Sequence, residues 1–183
     1  DGRGQDLFFF LQIRSMKPGR TPEWNVVAEQ GRPFWLDLVT ITSDAKVQLP
    51  VVLRRRVSWA TPEASLALLA VLSSDGSVCM SPLKDRRADL DRLSQTLSEC
   101  EPDECESLVF AAMATYNRVT LQPDGRLRLS PLLAHALDAK KDAVVWVGAY
   151  RESIRLWSEA AWSAAFANGV PLLETAMTES ERS

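Results

Sequence analysis

Two basic side chains, Lys46 and Arg126, hold matching places in a stretch that occurs twice: VTITSDAKVQLPVVL at 39–53 and VTLQPDGRLRLSPLL at 119–133. Each follows a short turn-forming segment, so a long cationic side chain is carried where strands fix its direction. Such a side chain suits phosphate oxygens and groove edges, Arg as a bidentate fork and Lys as a point charge. Arg54, first of the run Arg54-Arg55-Arg56, and Arg128 complete the candidate set. This is the chemistry of reversible polyanion binding. Covalent chemistry lacks a frame, because there is no GxSxG, no Gly-rich phosphate loop, no HExxH and no recognisable carboxylate pair. Cys79, Cys100 and Cys105, with no CxxC and His135 as the sole histidine, have neither a zinc spacing nor a disulfide framework. No enzyme, cofactor or metal is expected, and the thiols are expected to be reduced.

The elements that must position these residues follow from the duplication. Val39/Val119, Thr40/Thr120, Asp44/Asp124, Leu49/Leu129 and Leu53/Leu133 are identical at one constant offset, and Ile41/Leu121, Lys46/Arg126, Val47/Leu127 and Val52/Leu132 keep their chemistry. A gapless match of that kind marks a duplicated supersecondary unit. In the first copy WLDLVTI alternates as a half-buried strand, SDA turns the chain and KVQL returns as a hairpin partner. A short helix then starts at Pro50. LALLAVL and SVCM read as strands joined by a turn at Asp75-Gly76, and a helix opens at Ser81-Pro82 with Leu83, Leu90, Leu93 and Leu97 on one stripe. The second copy repeats the order: strands around Pro123-Asp124-Gly125, a short helix from Pro131 to Leu137, strands AVVWVGAY and SIRLW, and a closing helix to about Ala167.

These elements divide the chain into an N-terminal extension at 1–33 bearing Phe8, Phe9 and Phe10, a first unit at 34–98, an acidic linker and helix at 99–115, a second unit at 116–168, and a tail at 169–183. A chain of 183 residues with net charge −3 has the composition of a globular protein without a general basic coat. Basic residues outnumber acidic ones in 1–98, and the reverse holds in 99–183, so a local basic patch is compatible with the total. No apolar run approaches the ~20 residues that cross a bilayer. A cytoplasmic protein without a membrane partner is expected. Trp157 and Trp162 are expected in the core or a protomer contact, and His135 as a structural histidine on an apolar helix.

The second half resembles the MraZ family of bacterial transcription regulators through Gly125 and Arg126 in the turn, the PLL that follows, and VVWVGAYRESIRLWSEAAW with Trp157 and Trp162. The first half is similar through AKVQLPVVLR and LLAVLSSDGSVCMSPL, and coverage runs from Phe34 to Ala167. The resemblance implies an α+β fold of two tandem swapped-hairpin (AbrB-like, MraZ-like) β-barrel repeats with flanking helices. It further implies a nucleoid-associated repressor that forms ring-like homo-oligomers on tandem boxes of double-stranded promoter DNA at a division and cell-wall gene cluster. Lys46, Arg54, Arg126 and Arg128 are then the DNA-binding residues. The family pattern places an Asp four residues before each turn Arg and a Gly just before it. Here Thr42 and Gln122 stand at the Asp positions and Ala45 at the first Gly. Without that Asp the Arg loses an ion-pair partner, so DNA contact is weaker, less selective or absent. Two further readings remain: an oligomeric interaction protein that keeps the fold but has lost specific DNA binding, and an antitoxin-like module that binds both DNA and a partner protein.

Overall fold

A computed structural model of the chain describes residues 34–41, 45–150 and 152–180. The extension at 1–33, with its Phe8–Phe10 cluster, and Thr42 lie outside the described residues. Eight strands form one antiparallel sheet: β1 (Phe34–Thr40), β2 (Lys46–Gln48), β3 (Leu66–Leu72), β4 (Val78–Pro82), β5 (Tyr116–Leu121), β6 (Arg126–Arg128), β7 (Val144–Tyr150) and β8 (Ser153–Trp157). The helices are α1 (Val51–Arg54), α2 (Arg87–Glu99, after a 3-10 turn at Leu83–Arg86), α3 (Pro102–Thr115), α4 (Pro131–Ala136) and α5 (Glu159–Ser180). The mixed α and β content agrees with the sequence.

The sheet runs β1-β7-β8-β4-β3-β5-β6-β2. Its two edge strands, β1 and β2, are consecutive in sequence. The chain from Ile41 to Ala45 can span only about 14 Å, so both edges must approach each other and the sheet curls into a nearly closed, barrel-like form. Backbone bonds extend the β1–β7 and β2–β6 pairing up to that crossing: Ile41 N donates to Ala143 O at 2.7 Å, Asp142 N to Ile41 O at 3.0 Å, and Leu129 N to Ala45 O at 3.0 Å. The expected hairpin between WLDLVTI and KVQL does not form. β1 pairs along its length with β7, and β2 pairs with β6. Alternation fixes which face of a strand is buried but not which strand lies beside it. The β3–β4 hairpin forms as expected, with Gly76 at φ 76 and Asp75 Oδ1 accepting from Ser77 N at 2.9 Å.

The duplicated apolar positions line the interior. Ile41, Leu121, Val47, Leu127, Leu53 and Leu133 are all at 0% exposure, so packing in one shared core accounts for their likeness. Beside that core, the buried Trp146 stacks on Trp162 at 5.0 Å and Trp157 meets Trp162 edge-on at 5.4 Å; Trp157 and Trp162 are half-buried, and the contacts dock the first turns of α5 on β7 and β8. Leu90, Leu93 and Leu97 are only half-buried. His135 is exposed rather than packed.

Two expectations fail at the helices. The acidic segment after α2 is a corner and the first turn of α3, where Pro102 stands at the helix start and Asp103 and Glu104 meet its positive end. That corner brings the Cα atoms of Cys100 and Cys105 to 5.4 Å, and the two are joined in a disulfide rather than reduced. The closing helix does not stop near Ala167. It continues through Gly169 and Pro171 to Ser180, because strong helix formers on both sides, such as Ala164, Ala165, Leu172 and Leu173, offset the rung that proline removes.

Candidate functional site

The seam between β2 and β6 carries the cationic side chains. Val47 pairs with Leu127 at its centre, flanked by Lys46 opposite Arg128 and Gln48 opposite Arg126. Since side chains alternate across a strand, burying Val47 and Leu127 turns all four flanking residues outward. The same rule on β5 buries Val119 and Leu121 and leaves Arg118 exposed. Lys46, Arg118, Arg126 and Arg128 thereby line one open cleft of about 900 Å3, closed on its other sides by the Gln122–Arg126 turn and by Leu129, Ser130 and Pro131. Among the described residues Asp124 is its one acidic lining residue. Lys46 stands directly opposite Arg128, so two cations face outward from one cross-strand pair.

The turn is closely specified. Gly125 has φ 88, its N–H donates to Gln122 O at 2.8 Å, and Gln122 N donates to Arg126 O at 2.9 Å. Asp124 accepts from Arg126 N at 3.0 Å through Oδ1 and pairs with Arg126 Nε at 2.8 Å through Oδ2. An acid two residues before Arg126 therefore orients its guanidinium, the role that the family pattern gives to an acid four residues before. Gln122, at that earlier position, instead accepts from Ser65 Oγ at 2.9 Å. Because the Arg126 and Asp124 side chains are 59% and 49% exposed, their pairing directs the fork more than it stabilises the fold.

Of the four residues that the sequence nominated, Lys46, Arg126 and Arg128 come together. Arg54 does not line the cleft. It reaches from α1 over the turn, where its NH1 donates to Pro123 O at 3.4 Å. A Cβ on Gly125 would lie 2.5 Å from Arg54 Nε, so glycine is required there by both φ and contact. Sequence reasoning missed Arg118. The signal was present in the alternation Arg118, Thr120, Gln122 against the buried Val119 and Leu121.

Among the described residues no cluster of three or more His, Cys, Asp or Glu side chains could hold a metal ion. No described helix is long and apolar enough to cross a membrane. No protein-family model matches the chain and no curated protein matches it, so the cationic cleft itself must carry a functional assignment.

Proposed function

We propose that this protein is a DNA-binding transcription regulator of the MraZ type, in which two interleaved swapped-hairpin units present the β2–β6 seam to double-stranded DNA. The observation that carries the reading is the gathering of Lys46, Arg118, Arg126 and Arg128 in one cleft of a chain whose net charge is −3. Cations concentrated against an acidic background mark a surface for a polyanion, and the open shape suits a backbone that passes through. Strand exchange supports the swapped-hairpin reading: β1, β2, β3 and β4 from the first half pair with β7, β6, β5 and β8 from the second. Self-association is supported by exposed apolar side chains on α3 and α5, Phe110 at 61%, Met113 at 67%, Leu172 at 72% and Leu173 at 63%. Several weak clefts in one oligomer would add through effective concentration on tandem boxes. Repression and a nucleoid location belong to the same proposal through the family resemblance.

The test is fluorescence anisotropy with tandem-repeat promoter duplexes and scrambled duplexes across a range of salt, with light scattering for mass. Four phosphate contacts per chain give a slope of log K on log salt near −3.6, about a 150-fold loss from 50 to 200 mM. Lys46→Ala/Arg126→Ala is expected to reduce the slope by about 2. Negligible binding at low salt, or a slope untouched by the double substitution, would defeat the proposal and leave the oligomeric interaction protein as the better reading.

A further inference from the structure

The Gln122–Arg126 turn is held from outside by three consecutive carbonyls, and every donor comes from the first half of the chain. Arg54 NH1 donates to Pro123 O at 3.4 Å, Gln48 Nε2 to Asp124 O at 2.8 Å, and Leu49 N to Gly125 O at 3.0 Å. The side of the turn facing the cleft is fastened by Asp124, which bonds both the backbone N–H and the guanidinium of Arg126. Arg54 is unusual within this set. Its Nε is buried without a hydrogen-bond partner, a cost that an arginine free to turn into solvent would not bear. The flat stem lies where any side chain on Gly125 would have to go.

The duplicated position lacks this device. Ala134 stands where Arg54 does and has no donor, and Arg128 stands where Gln48 does. Among the described residues the two copies share one backbone bond, Leu49 N to Gly125 O in one and Leu129 N to Ala45 O in the other, and the Arg54 guanidinium is an addition at the Gly125 turn.

We propose that Arg54 is a positioning residue rather than a phosphate contact: it clamps the Pro123–Gly125 backbone so that Asp124 presents Arg126 to DNA in one orientation. The inference rests on the DNA-binding reading of the cleft for its effect on affinity, but the clamp itself has a readout that does not need DNA. Pre-organising one cation raises affinity without adding a released counterion, whereas a contact changes both.

The experiment uses the full chain, a fluorescein-labelled mixed-sequence duplex and a salt series. Arg54→Ala is expected to weaken binding roughly fivefold, the size of one ordinary hydrogen bond, as suits a bond as long as 3.4 Å, with the salt slope unchanged. Arg126→Ala is expected to weaken binding and lower the slope by about 1, and the double variant is expected to bind no more weakly than Arg126→Ala alone. A slope reduced by about 1 in Arg54→Ala, losses that multiply in the double variant, or unchanged affinity would overturn the proposal. Amide hydrogen exchange separates the two layers: Gly125 and Arg126 are expected to exchange faster in Arg54→Ala while the Gly76 turn keeps its protection. If the parent chain fails to bind DNA, the function reading falls, and unchanged exchange at Gly125 and Arg126 would remove the clamp as well. Should Arg54→Ala not fold, Arg54→Met keeps an unbranched stem beside Gly125 and removes the guanidinium with its bond to Pro123 O.

Discussion

The two copies make an internal experiment in backbone strain, because Ala45 stands in one where Gly125 stands in the other. Gly125 has φ 88 and Ala45 has φ 53, and the carbonyl of each accepts from the other half, from Leu49 N and Leu129 N, both at 3.0 Å. Positive φ aims that carbonyl across the seam, so the conformation is imposed by closure of the barrel rather than by the local sequence. An L-residue in the left-handed region costs roughly 1–2 kcal/mol. Ala45→Gly removes that cost and returns about 0.5–1 kcal/mol of unfolded-chain entropy, for a net stabilisation of about 0.5–1 kcal/mol. Gly125→Ala runs the other way. It adds the strain and drives a Cβ to 2.5 Å from Arg54 Nε and 2.7 Å from its Cζ, so the Arg54 bond to Pro123 O is lost too, for a net cost of about 1–3 kcal/mol. In a chain of this size 1 kcal/mol moves Tm by about 2–4 °C. Differential scanning calorimetry is expected to give a rise of about 1–4 °C for Ala45→Gly and a fall of about 3–10 °C for Gly125→Ala. Shifts of the same sign, or a lower Tm for Ala45→Gly, would refute the argument from closure.

Arg118→Ala is expected to reduce the DNA salt slope by about 1, like Arg126→Ala, with Tm within about 1 °C of the parent, since an exposed surface change touches little of the fold; anisotropy and a thermal melt check it together. Burial raises the Asp37 carboxyl above its ordinary 3.8, outweighing the hydrogen bond it accepts from Leu38 N at 2.8 Å. A raised carboxyl helps folding fully only below that ordinary value, and the help is lost as pH rises through the folded value. Asp37→Asn is therefore expected to raise Tm near pH 7 and to lose the gain toward pH 3.5, as read by melts across pH. The Cys100–Cys105 link closes a loop with a sequence separation of 5; for so short a ring the chain-entropy model gives about 2 kcal/mol, so Cys100→Ser is expected to lower Tm by about 4–8 °C. A melt unchanged by the substitution, with mass spectrometry confirming the oxidised parent, would count against that link.

What the sequence made legible were features local to one strand or shared by both copies. The pairs Ile41/Leu121, Val47/Leu127 and Leu53/Leu133 were visible as repeats and prove to be the core, and the β3–β4 hairpin was readable from Asp75-Gly76. Strand partnership was not, since alternation in WLDLVTI is the same whether β1 pairs with β2 or with β7. The disulfide was hidden because an acidic stretch reads as a solvated linker, and only the α2–α3 corner brings Cys100 to Cys105. Within the site, Lys46, Arg126 and Arg128 could be found from the duplicated turn. Arg118 could be found only by carrying the alternation back along β5. Arg54 was visible as a cation, but its place over Gly125 depends on the two halves interleaving, which no spacing within one half expresses. The acid partner of Arg126 was sought at Gln122, whereas the turn curls Asp124 back onto its own neighbour.

Interleaving also explains why the copies agree inside and differ outside. Each half packs its central residue against its own counterpart across the seam, Val47 against Leu127, so a change in one copy is felt immediately by the other and core chemistry stays matched. The outward residues, Lys46 opposite Arg128 and Gln48 opposite Arg126, lie outside that packing and differ between the copies, with Gln48 bonded to Asp124 O and Arg126 paired with the Asp124 carboxylate. Yet two cations, Lys46 and Arg128, stand directly opposite each other, and they share the cleft with Arg118, Arg126 and, among the described residues, one acid, Asp124. An anion in the cleft would turn that opposition into attraction, and the salt series tests that condition directly.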